Sequence, residues 1–399
     1  MGDGDVGMTS AMRRAAEWVA AKLERVTGAR EFIPEVDGLR FVALIPVLML
    51  HSATHFLIWR GRTGFDGDWT HGHGMILQAI GIGSIGVQIF FVISGFIVAL
   101  PFARYRLAGG AKPELGRYFM RRFTRIEPPY FIALIAIYLL WQNYRGYLPD
   151  LLAGLVYLHK VIFGTWNPIN IATWTLEIEV MFYALAPWLT RVYCIRGRAM
   201  RWMVQLIGMG AYSYFVCQWV VGRGPQRLKG TLLEELPYFL AGILLADLYA
   251  CGVLRRARRL VWDVVALGSM GALLYCCTIG PRFLWTLPVV LMVMFIGAME
   301  GRLINGFLRL RAVTIIGGMC YSAYLWHSAM LVVMRAMVAR WVPHALPDGQ
   351  AAGVFCLLMV PVILVLTAPI YYFLEKPFMN GSGSRFIESR LRAVYSRVR

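Results

Sequence analysis

The sequence contains few charged residues for its length. Only 16% of its 399 residues are Asp, Glu, Lys or Arg, whereas 58% are hydrophobic and 14% are aromatic. Soluble globular proteins carry roughly 25% charged residues. This deficit excludes an ordinary soluble protein, and the composition instead predicts a polytopic membrane protein.

Cysteine pairs, a signal peptide and linker sequences are also lacking. The seven cysteines form no C-x-x-C pair and no Cys/His cluster with the spacing of metal ligands, so we expect no metal and interpret them as small buried hydrophobic residues. We recognise no signal peptide, because the first 36 residues are polar and the first apolar segment contains Arg40 and His51. Without linkers, low-complexity segments or repeats, the chain is predicted to form one membrane domain.

Acidic residues are outnumbered by basic ones, with 22 Asp and Glu against 40 Lys and Arg and a net charge of +18. In a soluble protein this charge would favour nucleic-acid binding. If the N-terminus is cytoplasmic, however, about three quarters of the basic residues fall on the cytoplasmic side, as the positive-inside rule requires. We therefore expect both termini in the cytoplasm, and no nucleic-acid partner.

Apolar segments of suitable length for membrane helices recur along the chain. A helix needs about 20 residues to cross the ~30 Å hydrocarbon core. We therefore predict an all-α polytopic membrane protein with about ten transmembrane helices. The predicted spans are 38–58, 79–100, 126–142, 172–193, 202–221, 232–250, 260–279, 283–299, 314–338 and 351–374.

The spans divide the chain into a cytoplasmic N-terminal segment (1–34), a transmembrane domain (35–378) and a basic cytoplasmic tail (379–399). The N-terminal segment has an apolar face, which is typical of a helix lying on the anionic lipids of the inner leaflet; a solvated tail is the alternative. The residues of this face are Met12, Ala15, Val19, Leu23 and Val26. The apolar stretch 151–163 is too short to cross the membrane and predicts a re-entrant or interfacial segment.

The first span contains two ionisable residues on one stripe. His51 follows Arg40 by eleven positions, a step that in an α-helix rises ~16 Å and completes about three turns plus roughly 20°. A guanidinium group near one membrane face would therefore lie below an imidazole deep in the bilayer. Ionisable groups inside a membrane are costly, so each is a candidate functional residue. The pair indicates chemistry inside the membrane.

Arg122 and Arg125 are three positions apart, share a helical face and precede the third predicted span. They would thus lie at the same membrane face as Arg40. Guanidinium groups converging there suit multidentate binding of phosphates. The alternative is that they are positive-inside signals that only set the topology.

Polar residues also occur in two later spans. Glu177 and Glu179 are two positions apart and should face different sides of their helix. Helical rise places Glu179 at a similar depth to His51, where a carboxylate could orient the imidazole as a general base; a buried pair that joins helices is the alternative. His327 falls at the same depth and, with Trp174, is a candidate for lining a cavity, although it could simply be a hydrogen-bonded core histidine.

Assembled in order, these segments resemble the acyltransferase 3 family of integral membrane O-acyltransferases over nearly all of residues 35–378. The motifs that carry the resemblance are Asp37-Gly38-Leu39-Arg40 followed by His51, Gly86-Val87-Gln88-Ile89-Phe90-Phe91-Val92-Ile93-Ser94-Gly95-Phe96, Arg122-x-x-Arg125, Trp174-Thr175-Leu176-Glu177-Ile178-Glu179, Tyr321-Ser322-Ala323-Tyr324-Leu325-Trp326-His327 and Glu375-Lys376-Pro377-Phe378. The sequence departs from the family at Val180, where a second acidic residue is usual, and we expect no esterase-like soluble domain after the last span.

The resemblance implies an acyl-CoA-dependent O-acyltransferase in the bacterial cytoplasmic (inner) membrane. Such an enzyme moves an acyl group, usually from acetyl-CoA, to a hydroxyl of an extracytoplasmic glycan or lipid-linked saccharide. Arg40, Arg122 and Arg125 would bind the CoA phosphates, and His51 would be the general base with Glu179 as its support. The sequence does not distinguish direct transfer of the acyl group from a relay through an acyl-histidine. It also leaves two alternative functions, an acyltransferase for a cytoplasmic small molecule and an anion transporter.

Overall fold

The computed structural model describes residues 3–25, 32–62, 74–141, 146–221, 224–254, 259–279 and 281–379. The structure is 84% helical, and no strand occurs in these residues. The all-α prediction is therefore confirmed. Two predicted features, Val26 on the N-terminal apolar face and the tail beyond Met379, lie outside the described residues.

The described chain is a succession of α-helices with short 3₁₀ and π segments between them. The α-helices are α1 (Asp3–Leu23), α2 (Pro34–Trp59), α3 (Met75–Gly81), α4 (Ile85–Leu107), α5 (Leu115–Leu140), α6 (Leu148–Leu155), α7 (His159–Phe163), α8 (Trp174–Leu189), α9 (Arg198–Val216), α10 (Leu232–Ala250), α11 (Leu260–Ile279), α12 (Leu287–Glu300), α13 (Leu303–Leu308), α14 (Arg311–Gly318), α15 (Cys320–Ala339), α16 (Asp348–Ile370) and α17 (Lys376–Met379). The 3₁₀ segments are Ile82–Ser84, Ile171–Thr173, Thr190–Cys194, Gln226–Leu228 and Pro281–Thr286, and the π segments are Cys217–Val221 and Tyr371–Glu375.

Many of these helices can cross a membrane. Within the described residues, seven segments are both long and apolar enough: Pro34–Trp59, Met75–Leu107, Leu115–Leu140, Leu260–Cys277, Phe283–Glu300, Cys320–Ala339 and Asp348–Met379. The predicted spans 172–193, 202–221 and 232–250 coincide with α8, α9 and α10, which do not meet that standard; α8, for example, has 16 residues. A polytopic helical architecture is thus confirmed, while the number of about ten spans stays a prediction.

Two predicted spans have different limits in the structure. Helix α5 begins at Leu115, well before the predicted 126, so Arg122 and Arg125 lie on the helix itself. The predicted span 314–338 is two helices, because α14 ends at Gly318 and α15 begins at Cys320. A Cβ atom at Gly317 would lie 1.7 Å from the carbonyl oxygen of Asp37. The glycine therefore allows α14 to pack backbone to backbone on the first turn of α2.

Helix α2 lies at the centre of the bundle and packs against α4, α14, α15 and α16. Its buried apolar residues join two hydrophobic clusters, with Ala43 and Val47 in one, and Leu44, Leu48 and Phe56 in the other. The helix that carries Arg40 and His51 is thus held on several sides. This packing fixes the orientation of both ionisable side chains relative to the surrounding helices.

The stretch 151–163 forms two short helices, α6 and α7, neither long enough to cross a membrane. Their exposed apolar side chains include Leu152 and Ile162. The buried carboxylate of Glu177 accepts a hydrogen bond from the backbone N–H of Lys160 at 2.9 Å and so joins α7 to the start of α8. This arrangement is consistent with an interfacial segment, which stays a prediction.

Helices α4 and α10 approach each other through glycines. A Cβ at Gly95 would lie 2.4 Å from the carbonyl oxygen of Phe239, and one at Gly242 would lie 2.3 Å from that of Val92. Small residues at helix contacts allow membrane helices to pack closely. The position of α4, which carries part of the candidate site, therefore depends on these two glycines.

We expect Gly242→Ala to destabilise the protein by about 1–3 kcal/mol, because the added methyl group must force the two backbones apart. Thermal unfolding of the detergent-purified protein measures the effect. Gly208→Ala on α9 is the matched control, since nothing lies within 4 Å of its Cβ position. Equal unfolding temperatures for the two variants would contradict this account of the α4–α10 contact.

Candidate active site

A cavity of about 450 Å³ lies between α2, α4, α5, α8 and α15. Its volume falls within the ~300–1,000 Å³ of ordinary ligand pockets. The lining residues of α4 extend from Val87 to Val98, a helical rise of about 16 Å. The cavity can therefore hold an elongated ligand along roughly half of the ~30 Å hydrocarbon core.

One end of the cavity is lined by arginines, which we call the arginine mouth: Arg25, Arg40, Arg121, Arg122 and Arg125. The structure thus brings together the three arginines that the sequence singled out, from α2 and α5. Sequence reasoning missed two members. Arg121 lies in the same basic run as Arg122, whereas Arg25 comes from the N-terminal segment, whose approach to this site has no signal in the sequence.

Asp37 holds two guanidinium groups of the arginine mouth in place. Its Oδ1 accepts a hydrogen bond from Nη1 of Arg25 at 2.7 Å and another from Nη1 of Arg40. The side chain is only 1% exposed. Charge-assisted hydrogen bonds of this kind are short and strong. The two arginines therefore stand at the cavity entrance in fixed positions rather than as mobile surface side chains.

Arg122 and Arg125 add positive charge to the arginine mouth, and the buried carboxylate of Glu375 lies near enough to Arg125 to interact with its charge. In the part of the chain that the structure describes, neither forms an ion pair with a carboxylate. Arg122 lies instead over the ring of Tyr118, 3.8 Å from its centroid, and 5.2 Å from that of Tyr183. Its Nη1 donates to the carbonyl oxygen of Tyr118 at 3.1 Å. The other donors of a guanidinium group held on an aromatic face stay available for an anionic ligand.

Glu179 lies in the wall of the same cavity. Its Oε1 accepts hydrogen bonds from Ser94 Oγ at 2.6 Å and from the Tyr183 hydroxyl. Because the ring of Tyr183 also contacts Arg122, the carboxylate is connected to the arginine mouth. Glu177 points elsewhere, to the backbone of α7. The two carboxylates therefore face different sides of α8, as their spacing predicts.

His51 lies beyond the far wall of the cavity. The lining residues do not include it; they include Tyr324, whose ring centroid is 5.7 Å from that of His327. The ring of His327 is in turn 4.9 Å from that of His51. Tyr324, His327 and His51 thus form a row that leads from the cavity wall to α2.

The Glu179–His51 pair expected from helical depth is not found among the described residues. The hydrogen bonds of the carboxylate come from Ser94 and Tyr183, and the ring neighbour of His51 is His327. Counting residues along a helix gives the depth of a side chain. The direction it faces is set by neighbouring helices, and Glu179 faces α4.

His327 and Trp174, expected as cavity-lining residues, stand one layer behind the lining. His327 is fully buried behind Tyr324, and its Nδ1–H donates to the carbonyl oxygen of Tyr324 at 2.6 Å. Trp174 lies behind the lining residue Phe91, with ring centroids 6.4 Å apart, and contacts Trp166 at 5.0 Å. Both residues can therefore affect the cavity only through the aromatic rings in front of them.

Metal ligands are not grouped in the part of the chain that the structure describes, where no set of three or more His, Cys, Asp and Glu could hold an ion. The cysteines have free thiols, and Cys217, Cys276 and Cys356 are buried.

The chain matches a known family over most of its length. The profile of acyltransferase 3, described as an acyltransferase domain, matches residues 33–372. The matched region contains α2, α4, α5, α8 and α15, which form most of the cavity wall, whereas Arg25 and α17 lie outside it. This protein therefore belongs to the acyltransferase 3 family, as the sequence motifs predict.

Named relatives agree with this family. The chain is 25% identical over 389 residues to the acyltransferase MdmB of Streptomyces mycarofaciens, an alignment that covers 88% of this chain and 93% of the relative. It is 23% identical over 399 residues to the O-acetyltransferase OatA of Staphylococcus aureus, covering 92% of this chain and 60% of OatA. The peptidoglycan O-acetyltransferase OatA of Listeria monocytogenes is 25% identical over 222 residues, covering 50% of this chain and 31% of the relative. No solved structure matches the chain.

We expect Arg122→Ala to weaken the binding of coenzyme A, which carries a diphosphate, by about 10- to 100-fold, because each charge-assisted hydrogen bond contributes about 1.5–3 kcal/mol. Isothermal titration with the detergent-purified protein measures the affinity. Arg117→Ala on the same helix is the matched control, since Arg117 is exposed and pairs with Glu114 outside the cavity. Equal affinities for the two variants would remove Arg122 from the binding site.

Proposed function

We propose that this protein is a multi-pass membrane O-acyltransferase that moves an acyl group, usually acetyl, from acyl-CoA to a hydroxyl of a glycan or lipid-linked saccharide. The single observation that carries the proposal is the cavity, which joins a cluster of arginines to a half-buried carboxylate and an aromatic wall with two histidines behind it. The family membership favours group transfer over the anion-transporter alternative.

The donor would bind with its phosphates at the arginine mouth. Arg40, Arg122 and Arg125 would hold the nucleotide phosphates, because guanidinium groups match phosphate geometry with several donors at once. The positive-inside rule supports a cytoplasmic location for this end. From there the extended pantetheine arm would follow α4 along the ~16 Å between Val98 and Val87.

Glu179 would act on the donor rather than on His51. Its carboxylate lines the cavity beyond the arginines and is held by Ser94 and Tyr183. The pantetheine arm carries amide N–H groups, for which a fixed carboxylate is a good acceptor. This contact would place the thioester near Tyr324, at the far wall of the cavity.

His51 would be the general base. It would take the proton of the acceptor hydroxyl while the hydroxyl oxygen forms a bond to the acyl carbonyl carbon. The C–S bond of the thioester then breaks, and the imidazolium returns the proton to the departing CoA thiolate. Access to the thioester requires the rings of Tyr324 and His327 to move aside, since both separate His51 from the cavity.

The proposal that the acceptor is an extracytoplasmic saccharide is based on the names of the relatives. One is named an O-acetyltransferase and another a peptidoglycan O-acetyltransferase.

Mass spectrometry of surface glycans and lipids, from cells with and without the protein, tests the identity and location of the acceptor. We expect loss of an acyl increment from one extracytoplasmic saccharide when the protein is absent. An increment lost from a cytoplasmic small molecule instead would support the other acyltransferase function.

We expect His51→Ala to lower product formation by about 10²–10⁴-fold, the usual contribution of a general base. Coenzyme A affinity and the unfolding temperature should stay near those of the wild type, because His51 does not line the cavity. The assay measures CoA release and acyl transfer in proteoliposomes supplied with radiolabelled acetyl-CoA. Label that stays on the wild-type protein after donor removal would identify the relay mechanism.

The matched control is His344→Ala, which removes an exposed imidazole from the segment between α15 and α16. It should leave product formation unchanged. Turnover of the His51 variant at the rate of this control would exclude His51 as the base.

A further inference from the structure

Arg25 reaches the cavity from outside the region that matches the family. The family match begins at residue 33, so it contains neither α1 nor Arg25. Nevertheless, Arg25 lines the same cavity as Arg40, Arg122 and Arg125. Arg25, which lies outside the matched region, thus shares the candidate donor site with the arginines of the family motifs.

The last turn of α1, which precedes Arg25, packs against the helical bundle. Ala20 and Leu23 pack against a small cluster made of Ile315, Met319 and Tyr371. The ammonium group of Lys376 donates to the carbonyl oxygen of Lys22. These contacts come from α14, α17 and the π segment that precedes α17, so they place the last turn of α1 over the arginine mouth.

Several apolar side chains of α1 before its last turn are exposed. Met12, Trp18 and Val19 are 67%, 64% and 47% exposed. An apolar surface of this kind, next to Arg13, Arg14 and Lys22, suits a helix that lies on an anionic leaflet. The bundle contacts at the end of α1 fix where Arg25 stands, and leaflet contact along the rest of the helix would reinforce this position.

Neutralising the charge of Asp37 does not explain why Arg25 stands at the cavity entrance. Asp37 already has a partner three residues away in Arg40, on the same helix. A second guanidinium at 2.7 Å from the same oxygen leaves a net positive charge at the cavity entrance. Positive charge in excess of the local carboxylates is expected where an anion binds.

We propose that the N-terminal segment completes the donor site: Arg25, positioned by the docking of α1, binds a phosphate group of the acyl-CoA. This inference rests on the proposed function, because it takes the donor from there. Arg25 would contact only the nucleotide end of the donor, far from the acyl group. Its loss should therefore weaken binding without slowing the chemical step.

Steady-state kinetics of the full-length protein in proteoliposomes test the proposal. We expect Arg25→Ala to raise the KM for acetyl-CoA about 10- to 100-fold, with kcat within about threefold of the wild type, as the loss of one charge-assisted contact predicts. Arg25→Lys should retain part of the affinity, since it keeps the charge but loses the planar donor pair. Leu23→Ala, which weakens the docking of α1, should raise KM in the same direction.

Arg14→Ala is the matched control, because Arg14 is exposed on α1, which precedes Arg25, and does not line the cavity. It should leave KM unchanged. Binding of CoA and of dephospho-CoA then identifies the phosphate. A loss confined to CoA in Arg25→Ala assigns the 3′-phosphate, and an equal loss for both assigns the diphosphate; either result supports the proposal.

Unchanged KM and CoA affinity in Arg25→Ala would overturn the inference and leave the proposed function intact. A fall in kcat and unfolding temperature without a rise in KM would also overturn it, since that pattern belongs to a purely structural ion pair. Wild-type protein that fails to bind CoA would instead refute the proposed function, and this inference with it.

Discussion

The carboxylate of Asp37 fixes the charge at one end of the bundle. Buried on the first turn of α2, it accepts hydrogen bonds from Arg25 and Arg40. Without it, Arg25 and Arg40 would lose the carboxylate that they share, and their guanidinium groups would repel each other. Removing one partner from such a buried arrangement is strongly destabilising. The cavity entrance therefore depends on a single acidic side chain that itself never faces the ligand.

The central position of α2 explains how distant parts of the site stay aligned. Arg40 and His51 stand on one helix, and α4 and α15, which pack against it, carry Ser94 and His327. Glu179 stands on α8, which packs against α4. The close backbone contacts at Gly317 and Gly86 hold α14 and α4 against α2. A polar path through the bundle is thus assembled from several helices, although the family motifs lie far apart in sequence.

Much of the fold and part of the site could be predicted from the sequence. The charge deficit and apolar runs predict the membrane helices, and the three-residue spacing of Arg122 and Arg125 predicts their shared face. The Glu179–His51 pairing failed because helical rise gives depth without direction, and Tyr183 and Ser94 take the carboxylate instead. Arg25 escaped prediction because tertiary docking of α1, rather than any local pattern, places it in the cavity.

The glycine contact between α4 and α10 has a consequence for how this site can diversify. Gly95 follows Ser94 directly, and its backbone touches the carbonyl group of Phe239. That wall of the cavity cannot move outward toward α10, because such a displacement of α4 meets another backbone rather than a flexible side chain. If this protein evolves to accept longer or bulkier acyl chains, the substitutions that enlarge the cavity would therefore occur on α5, α8 and α15. Helix α4 would keep its position.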